Sequence, residues 1–162
     1  MSVRNKGAQI MIFIIIILII CFLSFSTTYV PPQEDVRLSV GEYEIVEFCS
    51  YGIFQDYTDY GKYTYENPNI ENNEYLKQMT EEDIEELNSY LDNYDEWVAV
   101  FSDEISETNK EFVETYDFDR SIISTTDYCY IYSNPDYDKF ASYDLYFYDT
   151  ETDILYYFHN NI

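Results

Sequence analysis

The feature that most constrains this chain is an uninterrupted apolar run near its N-terminus. Residues 10–23 read IMIFIIIILIICFL, without a single polar side chain. A helix of such residues satisfies its own backbone hydrogen bonds in lipid, and its side chains gain free energy by leaving water. At about 1.5 Å per residue this run covers only about 21 Å of a hydrocarbon core about 30 Å thick, so we extend the predicted span to residues 8–30.

The charges on either side of the apolar run predict its orientation. Arg4 and Lys6 precede the run, whereas Glu34 and Asp35 follow it. Positively charged flanks stay in the cytoplasm. We therefore expect residues 1–7 to be cytoplasmic, residues 8–30 to form a single-pass transmembrane signal anchor, and the rest of the chain to lie outside. The residues taken to mark this membrane segment are Ile10, Phe13, Ile16, Ile20 and Leu23.

Two other fates of the apolar run stay open. Ser24 and Ser26 place small residues where a signal peptidase cuts, which would release a secreted domain. Lipidation at Cys21 is the weaker alternative, because the bulky Ile20 stands where a lipoprotein signal needs a small residue. Each of the three fates exports residues 31–162.

Charge limits the partners of the exported part. All 32 acidic residues lie beyond the apolar run, together with only six of the eight basic residues, which gives a formal charge of −26. Such a field repels nucleic acid and attracts cations and basic proteins. The sequence also lacks a Gly-rich phosphate loop and a basic patch, so neither nucleotides nor nucleic acids are expected partners. The alternative is that the acidic surface serves solubility alone.

Aromatic content predicts a folded domain. The chain has 20 Tyr and 11 Phe, and so much aromatic surface favours burial over disorder. The number exceeds what a core of this size can hide, so we expect some tyrosines at the surface, where tyrosine among carboxylates suits protein recognition. Codon bias in an AT-rich genome would produce the same composition. No N-x-[ST] glycosylation site occurs, which favours a bacterial origin.

Two cysteines, Cys49 and Cys129, lie beyond the apolar run. In an oxidising compartment they could form a disulfide that closes a long loop. The alternative is two small buried side chains, which suits the position of Cys129 beside Ile131 on a predicted strand.

The first part of the exported region has weak local signals. Residues 31–35 begin with two prolines and predict a stiff spacer, followed by one domain over residues 36–162. Val36, Leu38 and Val40 alternate, which predicts a strand or bent strand pair from Val36 to Phe48. From residue 49 to residue 77 no period is sustained, and only a short strand near residues 62–65 is indicated.

The strongest signal beyond the membrane segment is a helix that begins after Thr80. Thr80 is a good N-cap, and Asp83 stands at the third helical position. Ser102-Asp103 is expected to end this helix and cap a second one that runs to about Tyr116. The predicted apolar stripe consists of Ile84, Leu87, Leu91, Tyr94, Val98 and Phe101, continued by Ile105 and Phe112. The spacing indicates a core-facing helix rather than a coiled coil.

The C-terminal third predicts three strands. They are residues 128–132, 143–148 and 154–158, with a turn at residues 134–136 and a hairpin loop at residues 149–153. The fold class that follows is α+β: an N-terminal transmembrane helix or signal anchor, then one small domain in which the long amphipathic helix packs on an antiparallel sheet with a C-terminal β-meander.

No pattern in the sequence predicts an enzyme, a cofactor or a metal site. His159 is the only histidine, next to a strand end, so Ser-His or Cys-His catalysis is not expected. Zinc would need Cys49, Cys129, His159 and a carboxylate, without the close ligand spacing that prepares such a site. A calcium loop with Asp56 first and Gly61 sixth lacks the glutamate required at position twelve.

The predicted function is therefore a general one. We expect a membrane-anchored, non-enzymatic, acidic interaction domain for a basic protein or peptide, for example of the immunity or inhibitor type. The alternative is a calcium-binding module or a small surface hydrolase that uses carboxylates. A structural part of the cell envelope is the third possibility.

Overall fold

The computed structural model describes residues 33–53, 56–103 and 107–161, which belong to one compact unit, Pro32–Ile162. The predicted membrane segment with Ile10, Phe13, Ile16, Ile20 and Leu23 lies outside the described residues, as do the two alternatives for its fate. Among the helices that are described, none combines the length and the apolar character needed to span a bilayer.

The described unit consists of three α-helices and a six-stranded antiparallel sheet, so the α+β prediction is confirmed at this level. The helices are α1 (Gln33–Val40), α2 (Glu81–Asp103) and α3 (Glu107–Thr115), with a short 3₁₀ helix at Arg120–Ile122. The strands are β1 (Tyr43–Ile53), β2 (Asp56–Tyr65), β3 (Lys77–Gln78), β4 (Tyr128–Ser133), β5 (Ser142–Asp149) and β6 (Ile154–Asn161). Their order across the sheet is β1-β2-β6-β5-β4-β3.

Helix α2 begins where the sequence predicts. The backbone N–H of Thr80 donates to Asp83 Oδ2 at 2.7 Å, and the backbone N–H of Asp83 donates to Thr80 Oγ1 at 3.3 Å. This reciprocal pair is a capping box with Asp in place of the more usual Glu. The hydroxyl and N–H of Thr80 hold the pKa of the Asp83 carboxyl below its ordinary value.

The stripe on α2 packs on one face of the sheet, as predicted. Buried members of this first core are Leu87, Leu91, Tyr94 and Val98 from α2, Phe112 from α3, and Tyr143, Leu145, Phe147 and Phe158 from β5 and β6. The side chains of Phe101 and Ile105 lie outside the described residues. Strands β4, β5 and β6 form the predicted antiparallel meander, with Cys129 and Ile131 on the same side as Leu145 and Phe147.

The strand or bent strand pair predicted from Val36 to Phe48 is right only from Tyr43 onwards, where β1 begins; its first part is wrong, because residues Gln33–Val40 form helix α1. Val36 and Val40 are fully buried and lie one helical turn apart, whereas Leu38 is 53% exposed. Three alternating residues satisfy the strand pattern, but the same two valines also satisfy the helical i, i+4 spacing. The helix also begins inside residues 31–35, which the sequence predicted to be a spacer.

Helix α1 covers the opposite face of the sheet from α2 and creates a second core. This core contains Val36 and Val40 with Tyr63, Tyr65, Tyr146, Tyr148, Leu155 and Tyr157. Every β5 residue from Tyr143 to Asp149 is consequently buried. The sequence predicted helical cover for one face only, since tyrosines alternating with carboxylates are typical of an exposed face.

Strand β2 lies between β1 and β6, inside the region without a visible period. The short strand predicted near residues 62–65 is confirmed and extends back to Asp56. Its tyrosines point to both faces of the sheet, which removes the alternation that marks a half-exposed strand. At Gly61 an added Cβ would lie 2.9 Å from the ring of Tyr63, so glycine is what allows this ring to lie flat over β2.

Candidate functional site

A row of polar side chains crosses the sheet on the face that α1 partly covers. The strand registers place Ser50, Asp59, His159, Asp144 and Tyr132 side by side on β1, β2, β6, β5 and β4. Asp59, His159 and Asp144 are 6%, 3% and 2% exposed. The sequence missed this row, because the last predicted strand ended one residue before His159.

Asp144 joins two other members of this face. Its Oδ1 accepts a hydrogen bond from Tyr157 Oη at 2.9 Å and lies 2.8 Å from His159 Nδ1. The imidazole also stacks on the ring of Tyr57, with 4.6 Å between the centroids. In the described part of the chain, four buried side-chain atoms have no hydrogen-bond partner: His159 Nε2, Asp59 Oδ1 and Tyr146 Oη on this face, and Arg37 Nε on the helix that covers it.

The polar row contains Ser, His and Asp without forming a nucleophilic triad. Ser50 bonds to Asp59, so Asp59 stands between this hydroxyl and His159. Burial raises the pKa of the Asp59 carboxyl. Nucleophilic catalysis needs the hydroxyl within reach of the imidazole, and a surface that a substrate can enter. Ser50 is exposed, whereas the deep burial of Asp59, His159 and Asp144 indicates a structural role for these three side chains in this conformation.

The thiols of Cys49 and Cys129 are free. They lie on β1 and β4, with β2, β6 and β5 between them. Four inter-strand steps of about 4.8 Å separate the two strands, whereas a disulfide needs Cα atoms within about 7 Å. The sequence left open a disulfide or two buried thiols, and the structure shows two separate, half-buried thiols. The two cysteines and His159 are not brought together, and the described residues contain no group of three His, Cys, Asp or Glu that could hold a metal ion.

An acidic groove opens where β1 begins and β2 ends. It has a volume of about 610 Å³. Its lining consists of Glu42, Tyr43, Glu44, Thr64, Tyr65, Glu66 and Asn67, and we call it the acidic groove. The antiparallel register sets Tyr43 opposite Tyr65 and Glu44 opposite Thr64, which brings residues from both strands to one place.

The connection from α1 fixes one end of the acidic groove. Gly41 has φ +147°, a backbone conformation that side-chain-bearing residues rarely adopt, and it turns the chain from α1 into β1. The N–H of Asn69 donates to the carbonyl of Val40 at 2.7 Å and ties the segment after β2 to the end of α1. Tyr65 Oη donates to the carbonyl of Arg37 at 3.2 Å, which holds its ring in place.

The charges of the acidic groove are all of one sign. Glu42, Glu44 and Glu66 are exposed, and the lining contains no Lys or Arg. The three carboxylates match a Lys or Arg side chain, which would gain ion pairs there, while Tyr65 is buried and Tyr43 already lies under Arg37.

Most basic residues of the domain already have partners elsewhere. Arg37 donates to Tyr63 Oη at 2.8 Å and lies 4.9 Å from the centre of that ring. Four further basic residues form ion pairs: Lys62 with Glu47 and Asp117, Lys110 with Glu114, Arg120 with Asp92 and Asp95, and Lys139 with Glu86. None of these bonds goes to the three glutamates of the acidic groove.

Apolar side chains continue from the acidic groove along the outer strand. Ile45, Val46 and Phe48 are 63%, 57% and 49% exposed, and we call them the edge patch. The register shifts between Ile45 and Glu47, so Val46 is an extra residue in a β-bulge. In the described sheet β1 pairs with β2 on one side only, and its other side is an edge.

Tyrosine contributes less to the surface than the sequence predicted. Among the described tyrosines only Tyr137 is exposed, and the others are buried or half-buried.

A second groove of about 370 Å³ lies between β4 and α2, but Lys77 is part of its lining and offsets its carboxylates. The acidic groove is therefore the feature of the described surface that best fits a ligand of defined charge.

Comparison with known proteins adds no assignment to this geometry. No family model matches the chain, and no curated protein or solved structure is significantly similar to it.

Proposed function

We propose that this chain is a membrane-anchored protein whose extracytoplasmic domain binds a basic polypeptide and catalyses no reaction. The observation that carries the proposal is the acidic groove, whose lining contains three exposed glutamates and no basic residue. The apolar run of residues 10–23 and the charges around it support the location. An immunity or inhibitor protein that neutralises a cationic toxin or wall enzyme is one form of this function.

The energies of such a contact are modest individually. An exposed ion pair contributes about 0.2–1 kcal/mol. The net charge of the domain acts over a longer range and speeds the encounter with a basic partner at low salt. Binding should therefore depend steeply on ionic strength, because both contributions are screened.

A peptide selection tests the proposal without knowledge of the natural partner. The full-length chain, in a neutral detergent, is immobilised and offered random peptides of about twelve residues, long enough to span β1 at about 3.3 Å per residue. We expect the selected peptides to be enriched in Lys and Arg, and to lose at least about tenfold in affinity between about 50 and about 500 mM salt. Selected peptides without this enrichment, or binding that is insensitive to salt, would overturn the proposal.

A divalent cation is the competing ligand for the same carboxylates. Calcium prefers clustered oxygen ligands, and Glu42, Glu44 and Glu66 line one groove, although no three carboxylates of the described residues are grouped as a metal site. Thermal unfolding with calcium, and with sodium at matched ionic strength, separates the two ligands. Stabilisation by calcium well beyond the effect of sodium would favour the cation-binding alternative over the polypeptide.

A further inference from the structure

We infer that the basic partner binds as an extended segment that adds to the free edge of β1, with a Lys or Arg in the acidic groove and apolar side chains on the edge patch. The inference rests on the proposed function and names the form of the partner. It follows from the position of both features on one strand: Glu42 and Glu44 belong to the groove, and Ile45, Val46 and Phe48 follow them directly.

The outer side of β1 offers backbone groups for such pairing. The strand is 11 residues long and β2 is its described neighbour in the sheet, while α3 packs against it where Phe112 meets Tyr51, so the part of the edge proposed for pairing is Tyr43–Phe48. An edge strand presents unpaired N–H and C=O groups, and an extended peptide that pairs with them gains affinity from the backbone and specificity from alternate side chains. Natural edges are usually protected by charge, and here the protecting charges are all acidic, which leaves the edge open to a basic strand.

The bulge limits where the backbone of the partner can pair with β1. Val46 has no counterpart on β2, so the regularly paired parts of β1 are Tyr43–Ile45 and Glu47–Ile53 on either side of it. Bulges interrupt pairing locally and bend the strand. We expect the partner's backbone to pair on one or both sides of Val46, while an apolar side chain of the partner covers the exposed Ile45 and Phe48.

Distance along the strand predicts the partner's sequence pattern. Glu44 and Phe48 are four residues apart with one residue in the bulge, so roughly 10–13 Å separates the groove from the far end of the edge patch. An extended partner spans this distance with about three or four residues. Because of the bulge, Glu44 and Phe48 face opposite sides of the sheet, so the motif would be a Lys or Arg and an apolar residue three positions apart.

Charge excludes a second copy of this chain as the preferred occupant. In an edge-to-edge dimer, β1 of each copy would bring its glutamates against those of the other, and like charges on neighbouring strands are destabilising. Glu42 directly precedes β1, and Glu44 and Glu47 are among the first five residues of the strand. A basic strand would form attractive ion pairs with these glutamates, whereas a second copy of β1 would bring repulsive like charges to the same positions.

The test uses two synthetic peptides and the full-length chain in neutral detergent. The probe is an extended peptide of alternating Lys and Val, about eight residues long, which covers about 26 Å of the edge. The control peptide has the same side chains with N-methyl groups on alternate backbone nitrogens, which removes strand hydrogen bonding and keeps the charge. Fluorescence anisotropy measures both affinities, and we expect the N-methylated peptide to bind at least about tenfold more weakly.

Two pairs of matched variants locate the binding site. Glu42→Gln with Glu44→Gln removes two charges from the acidic groove, and Glu85→Gln with Glu96→Gln removes two exposed charges from α2. In a second pair, Ile45→Thr with Phe48→Thr removes the apolar contact but keeps strand-forming residues, and Val100→Thr is the control on α2. We expect each β1 variant to weaken binding by at least about fivefold and each α2 variant by less than about twofold, since screened distant charges contribute little.

The outcomes separate this inference from the proposed function. Equal binding of the two peptides, or normal binding by the Ile45/Phe48 variant, would overturn strand addition; a loss confined to the Glu42/Glu44 variant would still support the groove as the site. If neither peptide binds, both proposals fail. Self-association in sedimentation that the Ile45/Phe48 variant abolishes would assign the edge patch to a second copy and overturn the inference. Because the predicted anchor by itself would carry the full-length chain into vesicles, only a loss of flotation with zwitterionic vesicles in the Ile45/Phe48 variant would assign the patch to lipid and likewise overturn the inference.

Discussion

His159 Nδ1 lies 2.8 Å from Asp144 Oδ1 in the β5–β6 strand pair. Tyr157 Oη donates a hydrogen bond to the same oxygen. His159 and Asp144 are directly opposite each other in the register. A slip of one residue would place Tyr143 or Leu145 opposite His159 and move every side chain of the strand to the other face. The buried pair therefore specifies one register for the two strands.

Replacing Asp144 by Ala should lower the free energy of unfolding by about 3–5 kcal/mol, because it leaves a buried imidazole and a buried phenol without their acceptor. Denaturant unfolding of the full-length chain measures the change. In a His159→Phe background the same substitution should cost less, since only Tyr157 then loses a partner. Equal costs in both backgrounds would show that the two side chains do not interact.

Asp59→Asn should stabilise the protein near neutral pH. Burial raises the pKa of the Asp59 carboxyl, so the folded state favours its protonated form more than the unfolded chain does. The contribution of Asp59 to stability is then fully present below the carboxyl's ordinary pKa and is lost as the pH rises through the higher folded pKa. The melting temperature of the variant should exceed that of the native chain near neutral pH, and the difference should shrink on acidification.

Asp117 provides the opposite control. Hydrogen bonds from Lys62 and Tyr60 outweigh burial and hold the pKa of this carboxyl below its ordinary value. Its stabilising contribution is present above the ordinary pKa and is lost as the pH falls through the lower folded value. Asp117→Asn should therefore destabilise near neutral pH. An Asp59→Asn variant that behaves in the same way would contradict the buried position of Asp59.

Gly61→Ala should destabilise the fold by about 1–3 kcal/mol, since the added Cβ meets the ring of Tyr63 and the ring must shift. Chemical unfolding measures the cost. The same change in a Tyr63→Leu background should cost less, because the smaller side chain leaves room over β2. A cost that persists without the ring would place its origin in the backbone instead.

Cys49 and Cys129 should resist alkylation in the folded protein. Burial raises the pKa of each thiol to about 12, so the reactive thiolate is scarce near neutral pH. Both residues should be modified by iodoacetamide after denaturation without any reductant, and peptide mass spectrometry identifies them individually. A peptide pair linked through Cys49 and Cys129 would contradict the strand order of the sheet.

Local signals in the chain were sufficient for several elements. Thr80 and Asp83 are three residues apart and form their capping box without help from the rest of the fold. The α2 stripe and the three-stranded meander follow equally from spacing within one segment. Helix α1 shows the limit of this approach, because a short apolar pattern fits both a helix and a strand until the surface that it packs against is known.

The polar row shows what a single residue of register decides. A hairpin loop over residues 149–153 would pair Tyr148 with Ile154 and set Tyr143 opposite His159. In the structure Asp149 stays in β5 and pairs with Ile154, while its carboxylate accepts from the N–H of Glu151 at 2.9 Å and tightens the turn. The shorter turn moves Asp144 opposite His159.

The amino-acid sequence by itself determined the acidic charge, the apolar run of residues 10–23, helix α2 and the meander, because each depends on composition or on residues close together in the chain. Only the tertiary structure decided the acidic groove, which Glu42 and Glu44 line together with Glu66, and the separation of Cys49 from Cys129. These depend on which strands become neighbours and in what register. That choice is made by burying both faces of the sheet at once, a requirement that no single segment carries.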